Sequence, residues 1–156
     1  MKRILRVYCD TSVFGGCREE EFSEDSNDLM EMFRQGEHRL VLSRVTLREL
    51  AGAPGEIQKI LTSIPPQNVD FVQIGAESES LRQAYLSAGV VGPSSRRDAL
   101  HIAVATIARV DLIVSWNFKH IVHFEKIIGY HGINRLHGYP EIPIHTPKEV
   151  IRNAES

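Results

Sequence analysis

Four short stretches of this 156-residue chain place oxygen-bearing side chains where they could hold a hard cation. They are Cys9-Asp10-Thr11-Ser12, Thr46-Leu47-Arg48-Glu49-Leu50, Ser95-Arg96-Arg97-Asp98-Ala99-Leu100 and Ser115-Trp116-Asn117. Clustered carboxylates repel one another, and a divalent cation removes that cost. Such a cation takes oxygen ligands, keeps several waters and activates one of them for attack on phosphorus. Three acids far apart in sequence can share a cation only if the fold brings them together.

The elements between them suggest how. Residues 4–9 read as a buried strand ending at Asp10. A helix is expected over residues 26–35, stopped by Gly36. Residues 40–42 read as a short strand. A helix from near Thr46 breaks at residues 52–55, and Ile57, Ile60 and Leu61 mark a second short one. Residues 69–74 alternate like a strand, and residues 76–88 read as a helix ended by Gly89. Residues 95–110 are apolar on nearly every face, which predicts a buried helix. Leu112-Ile113-Val114 reads as a strand of a parallel sheet covered on both faces. Residues 129–145 are rich in Gly, Pro and His; one strand is expected over residues 142–145, and Pro147 starts a last short helix. Pro65-Pro66 marks a turn inside the domain. Strands alternating with helices predict a three-layer α/β/α sandwich with a mainly parallel sheet, as one domain over residues 1–156. In such sheets ligands bind beyond the carboxyl ends of the strands, where all four stretches fall.

Each stretch also has an ordinary structural role. Asp10 and Asn117 suit turns. Glu49 follows Thr46 by three residues and Asp98 follows Ser95 by three, the spacing of a capping box. The joint placement of three carboxylates at one rim is what favours a site.

The ordered set resembles the PIN-domain family, the fold of the VapC-like toxin ribonucleases of bacterial type II toxin–antitoxin pairs. The resemblance rests on Asp10-Thr11-Ser12, on Glu49 in its Thr-x-x-Glu-Leu context, on Asp98-Ala99-Leu100-His101-Ile102-Ala103 and on Val114-Ser115-Trp116-Asn117-Phe118. It implies a metal-dependent endoribonuclease in which Asp10, Glu49 and Asp98 hold Mg²⁺ or Mn²⁺, with Ser12 and Ser115 in support. The family's last motif reads Ser/Thr-x-Asp, and here Asn117 stands at the Asp position. The expected site thus carries three negative charges rather than four, which bears on a second metal. The resemblance further implies a cytoplasmic toxin, a small antitoxin partner, an RNA substrate and a homodimer. The alternative is a weak or inactive PIN-like module that binds RNA or a protein partner without cutting, and Asn117 is its best support.

Arg48, Arg97 and Lys119 flank the acidic motifs and are candidates to neutralise substrate phosphates. His120 and His123 have a zinc-like spacing, but nothing completes a four-ligand set. Trp116 is a core residue or a stacking platform for a base. A haloacid-dehalogenase-type phosphatase would need Asp where Ser12 stands. The net charge of -2 argues against bulk electrostatic binding of duplex DNA. The acidic run at residues 19–25 reads as a solvated loop and helix start. No apolar run is long enough for a membrane helix, and Cys9 and Cys17 read as reduced thiols.

Overall fold

The computed structural model describes residues 3–155. Five strands, β1 (Arg6–Cys9), β2 (Arg39–Ser43), β3 (Val69–Val72), β4 (Leu112–Val114) and β5 (Ile144–His145), form one sheet in the order β3-β2-β1-β4-β5. Every pairing is parallel, with Val7 opposite Leu40 on one side and Leu112 on the other. Eight helices cross between or flank them: α1 (Thr11–Gly16), α2 (Ser23–Arg34), α3 (Arg44–Ala51), α4 (Gly55–Thr62), α5 (Ala76–Ser87), α6 (Arg96–Ile107), α7 (Phe124–Leu136) and α8 (Pro147–Glu155). The expected three-layer sandwich is what forms.

Side chains alternate across a strand, so the central strands feed two cores. Tyr8, Val41, Ile113 and Ile144 face one apolar cluster, shared with α5, α6 and α7. Val7, Cys9, Leu40, Leu42, Leu112 and Val114 face the other, shared with α1, α2 and α8. Helix α3 belongs to both, through Val45 on one side and Leu50 on the other. It therefore sits astride the carboxyl edge of the sheet. Helix α6 is buried continuously from Ala99 to Thr106, as its all-round apolar pattern requires.

Two helices depart from the expectation. Helix α1 is a short turn directly after β1, where no helix was expected. Helix α7 fills a stretch expected to be irregular from residue 129 onward. Its apolar residues are spread around the axis, and Phe124, Ile128 and Leu136 remain exposed.

The capping boxes fall elsewhere too. Helix α3 starts at Arg44 behind Ser43, so Thr46 lies inside its first turn. Ser95 is the N-cap of α6 but makes no side-chain cap. A box does form with Thr146 and Glu149, at the head of α8. Glu49 and Asp98 are thereby left free of capping duty.

Candidate active site

The loops leaving β1 and β4 are neighbours in the sheet, and their side chains interlock. Asp10 is 4% exposed. The Ser12 hydroxyl donates to Asp10 Oδ1 at 2.6 Å, and the Ser115 hydroxyl donates to Oδ2 at 2.8 Å. Each serine is itself aimed by a backbone N–H from the β4 loop: Trp116 donates to Ser12 Oγ and Asn117 to Ser115 Oγ, both at 2.9 Å. Burial raises the Asp10 pKa; His101 and the two serine hydroxyls offset part of this, and the Asp98 charge adds to it.

Glu49 is held from the opposite side. The Thr11 hydroxyl donates to Glu49 Oε1 at 2.8 Å, and His101 Nε2 lies 2.7 Å from the same oxygen. His101 is 2% exposed, and its Nδ1 sits 2.7 Å from the Tyr8 hydroxyl, which in turn is 2.8 Å from Ser43 Oγ. Burial pushes the Tyr8 phenol strongly upward, so it keeps its proton. A consistent polarity is Ser43 donating to Tyr8, Tyr8 to His101 and His101 to Glu49. Burial alone would raise the Glu49 carboxyl, but His101, Thr11 and Arg97 together bring it below the usual value.

Asp98, on the first turn of α6, faces both other acids. Burial raises its pKa, His120, His101 and Asn117 oppose that, and the Glu49 charge reinforces it. All three acids feel the charge of His101, and Asp98 is electrostatically linked to both Asp10 and Glu49.

Asn117 takes a different part from the one its sequence position suggested. Its Oδ1 accepts the backbone N–H groups of His120 at 2.9 Å and Lys119 at 3.2 Å, an Asx-type turn. Those two donors fix which end is oxygen, so the amide nitrogen is the end left to face Asp98, whose carboxyl pKa Asn117 lowers. Asn117 offers this pocket a hydrogen-bond donor, and its carbonyl oxygen is spent on its own loop.

Among the described residues, no three His, Cys, Asp or Glu side chains already meet as a metal cage. The donor set nonetheless suits a hard cation, being carboxylate oxygen without thiolate. The Asp98 charge acts on Asp10, whose oxygens each use one lone pair on a serine. With Asn117 turned inward, the residues fit one cation better than two.

The flanking cations divide. Arg97 is close enough to lower the Glu49 carboxyl. Arg48 faces a separate cavity with Arg44. Lys119 is exposed. Trp116 is core: its ring stacks on Phe22 at 4.3 Å, and its Nε1 donates to Ser26. His120 lies near Asp98, while His123 stands at the N-cap position of α7 without a side-chain cap. Tyr8, Thr11 and Ser43 were missed by the sequence reading. Tyr8 reads as an ordinary strand residue, and Thr11 and Ser43 lie at strand-to-helix joints without periodic signal. His101 gave one hint, its place three residues after Asp98.

Fold and edge together define a PIN-like α/β/α sandwich with a carboxylate pocket at the β1–β4 junction. No protein-family model matches the chain, and no curated protein sequence does. Among solved structures, it is similar to a chain of the VapBC2 complex from Rickettsia felis bound to a DNA fragment from their promoter. That likeness has a TM-score of 0.56 and 11% identity, over 91% of this chain and 98% of the other.

Proposed function

We propose that this chain is a metal-dependent endoribonuclease that hydrolyses RNA phosphodiester bonds, acting as the toxin of a toxin–antitoxin pair in the cytoplasm. The observation that supports this reading is a buried Asp10 at the carboxyl edge of the sheet, held by two serines, with Asp98 and Glu49 electrostatically linked to it or to each other. The likeness to a chain of a VapBC complex supports an antitoxin partner; a homodimer follows from the family resemblance.

Asp10, Asp98 and Glu49 would hold Mg²⁺ or Mn²⁺. When bound, that cation supplies Lewis-acid polarisation of the phosphate and an activated water. The chain's own residues do the positioning. Ser12 and Ser115 keep both Asp10 oxygens in place, Thr11 and His101 fix Glu49, and Asn117 favours the charged form of Asp98. Arg97, whose charge lowers the Glu49 carboxyl, would neutralise a substrate phosphate.

The test is cleavage of single-stranded RNA with Mg²⁺ and with Mn²⁺, beside the Asp98→Asn variant. Wild type should cut only with metal, and the variant should lose at least about 100-fold. Circular dichroism should show the variant folded, since Asp98 caps nothing. A variant cutting at the wild-type rate would remove Asp98 from the site. A second reading has one observation in its favour: with the Asn117 carbonyl turned away, the pocket lacks a fourth acid. That reading is a weak or inactive module that binds RNA or protein, and it gains if no metal supports cleavage.

A further inference from the structure

Helix α3 carries two faces. Glu49 points to the carboxylate pocket. Arg44, Leu47 and Arg48, spaced i, i+3, i+4, share another face and line a separate cavity of about 390 Å³. Its opposite wall is the edge strand: Phe71, then residues 72–74 at the end of β3, with Leu100 of α6 behind.

Neither arginine forms an ion pair among the described residues, as is also true of Arg96, Arg97, Arg109 and Arg152, whereas Arg3, Arg6, Arg18, Arg34, Arg39, Arg82 and Arg135 each do. The one carboxylate on the cavity wall, Glu79, is already paired with Arg82. Phe71 is 59% exposed and Leu47 37%. An open aromatic ring beside two unpaired guanidinium groups matches the two halves of a nucleotide, a flat apolar base and an anionic phosphate.

The location suits the same ligand. The cavity lies at the carboxyl end of β3, and Asp10 ends β1, with β2 between them. Two strand spacings put these edges roughly 10 Å apart. Leu100 follows Asp98 by two residues on α6, so one helix end touches both places. The carboxylate pocket repels phosphate, so attraction for the substrate has to come from beside it.

Resting on the nuclease reading above, we propose that the Arg44–Arg48–Phe71 cavity is a nucleotide subsite for single-stranded RNA. A base flanking the scissile phosphate lies on Phe71, and its phosphate meets Arg44 and Arg48. Single strands are favoured because a duplex keeps its bases stacked inside.

The experiment measures binding of a short fluorescein-labelled single-stranded RNA to the full chain by anisotropy in EDTA, so that cleavage does not intervene. Salt titrations are run on wild type, Phe71→Ser and Arg44→Gln/Arg48→Gln; both sites are exposed, and circular dichroism checks the fold. Phe71→Ser should weaken binding roughly tenfold or more. The double variant should flatten the slope of log K against log salt by about 1.4, two phosphate contacts on a single strand. A duplex of the same sequence should be insensitive to Phe71→Ser. Wild type that does not bind the strand, or variants that bind with wild-type affinity and slope, overturns the subsite. So does unchanged RNA binding with a changed molecular mass in sedimentation, which would make this face a protein interface. Loss of binding in the variants, with no cleavage by wild type in any metal, would keep the subsite and remove the nuclease.

Discussion

His101 Nε2 lies 2.7 Å from Glu49 Oε1, and this contact ties a half-buried acid to the interior of the protein. Behind it the chain runs through Tyr8 to Ser43, so the position of Glu49 is set by groups that never touch solvent. Tyr8→Phe removes one hydroxyl and leaves Ser43 Oγ and His101 Nδ1 each short of a partner. Urea denaturation should show a loss of about 1–3 kcal/mol, and RNA cleavage should fall although no acid has changed. A Phe variant with wild-type stability and cleavage would mean that this chain of bonds does not hold Glu49.

Asn117→Asp tests the amide. One Asp oxygen can still accept the Lys119 and His120 N–H groups, but the other now meets Asp98 as a like charge. The metal-free protein should lose on the order of 1 kcal/mol, a few degrees of melting temperature. Mn²⁺ should bind the variant more tightly, and cleavage should rise. Melting curves in EDTA and calorimetry with Mg²⁺ and Mn²⁺ read both effects. Unchanged melting in EDTA would show that residue 117 does not face Asp98.

The acids give the metal-free protein an unusual pH profile. Asp10 and Asp98 have raised pKa values in the folded state, so they favour folding while protonated. That contribution is complete below the ordinary carboxylate value near about pH 4 and fades as pH climbs through their folded values. Glu49 is lowered and behaves oppositely, its contribution vanishing only as pH falls through its folded value. Melting temperature in EDTA should therefore decline from mildly acidic toward neutral pH, and Asp10→Asn should flatten that decline. Mn²⁺ should reverse it, because deprotonated ligands bind best. An Asp10→Asn profile parallel to wild type would count against a raised Asp10.

Gly16 supports the loop that carries Ser115. A Cβ there would sit 2.7 Å from Ser26 Oγ and from Trp116 Nε1. Gly16→Ala should cost about 1–3 kcal/mol by displacing the Trp116 ring. Gly132, inside α7, has nothing within 4 Å of a Cβ, so Gly132→Ala should gain about 0.5–1 kcal/mol. Thermal melts of the two variants should move in opposite directions.

Much of this was legible in the sequence because it is written in short-range patterns. Strands β1, β2 and β4 have apolar runs, β3 its alternation, and α6 its all-round apolar surface. The acids were visible as the polar residues at strand ends and helix starts. What escaped depends on partners distant in sequence. Helix α7 lacks an amphipathic stripe, because Ile127 and Ile133 pack inward while Ile128 and Leu136 stay outside. The capping boxes were placed by spacing alone, and a one-turn shift of the α3 start dissolved one of them. Arg48 and Glu49 are adjacent in sequence and face different cavities, which follows from the helix once its register is known. The orientation of the Asn117 amide follows from two backbone N–H groups that no side-chain pattern announces.

The strand order also has a consequence for synthesis. The chain lays down β1, β2 and β3 outward on one side, then returns to place β4 against the free flank of β1. A nascent chain released as far as α5 already contains Asp10 and Glu49. It still lacks Asp98, His101, the Ser115 hydroxyl that grips Asp10 and the Asn117 amide. The pocket cannot close until the segment from Asp98 to Asn117 has left the ribosome and docked. Whatever chemistry this edge performs is thus withheld from the machinery that makes it until β4 stands beside β1.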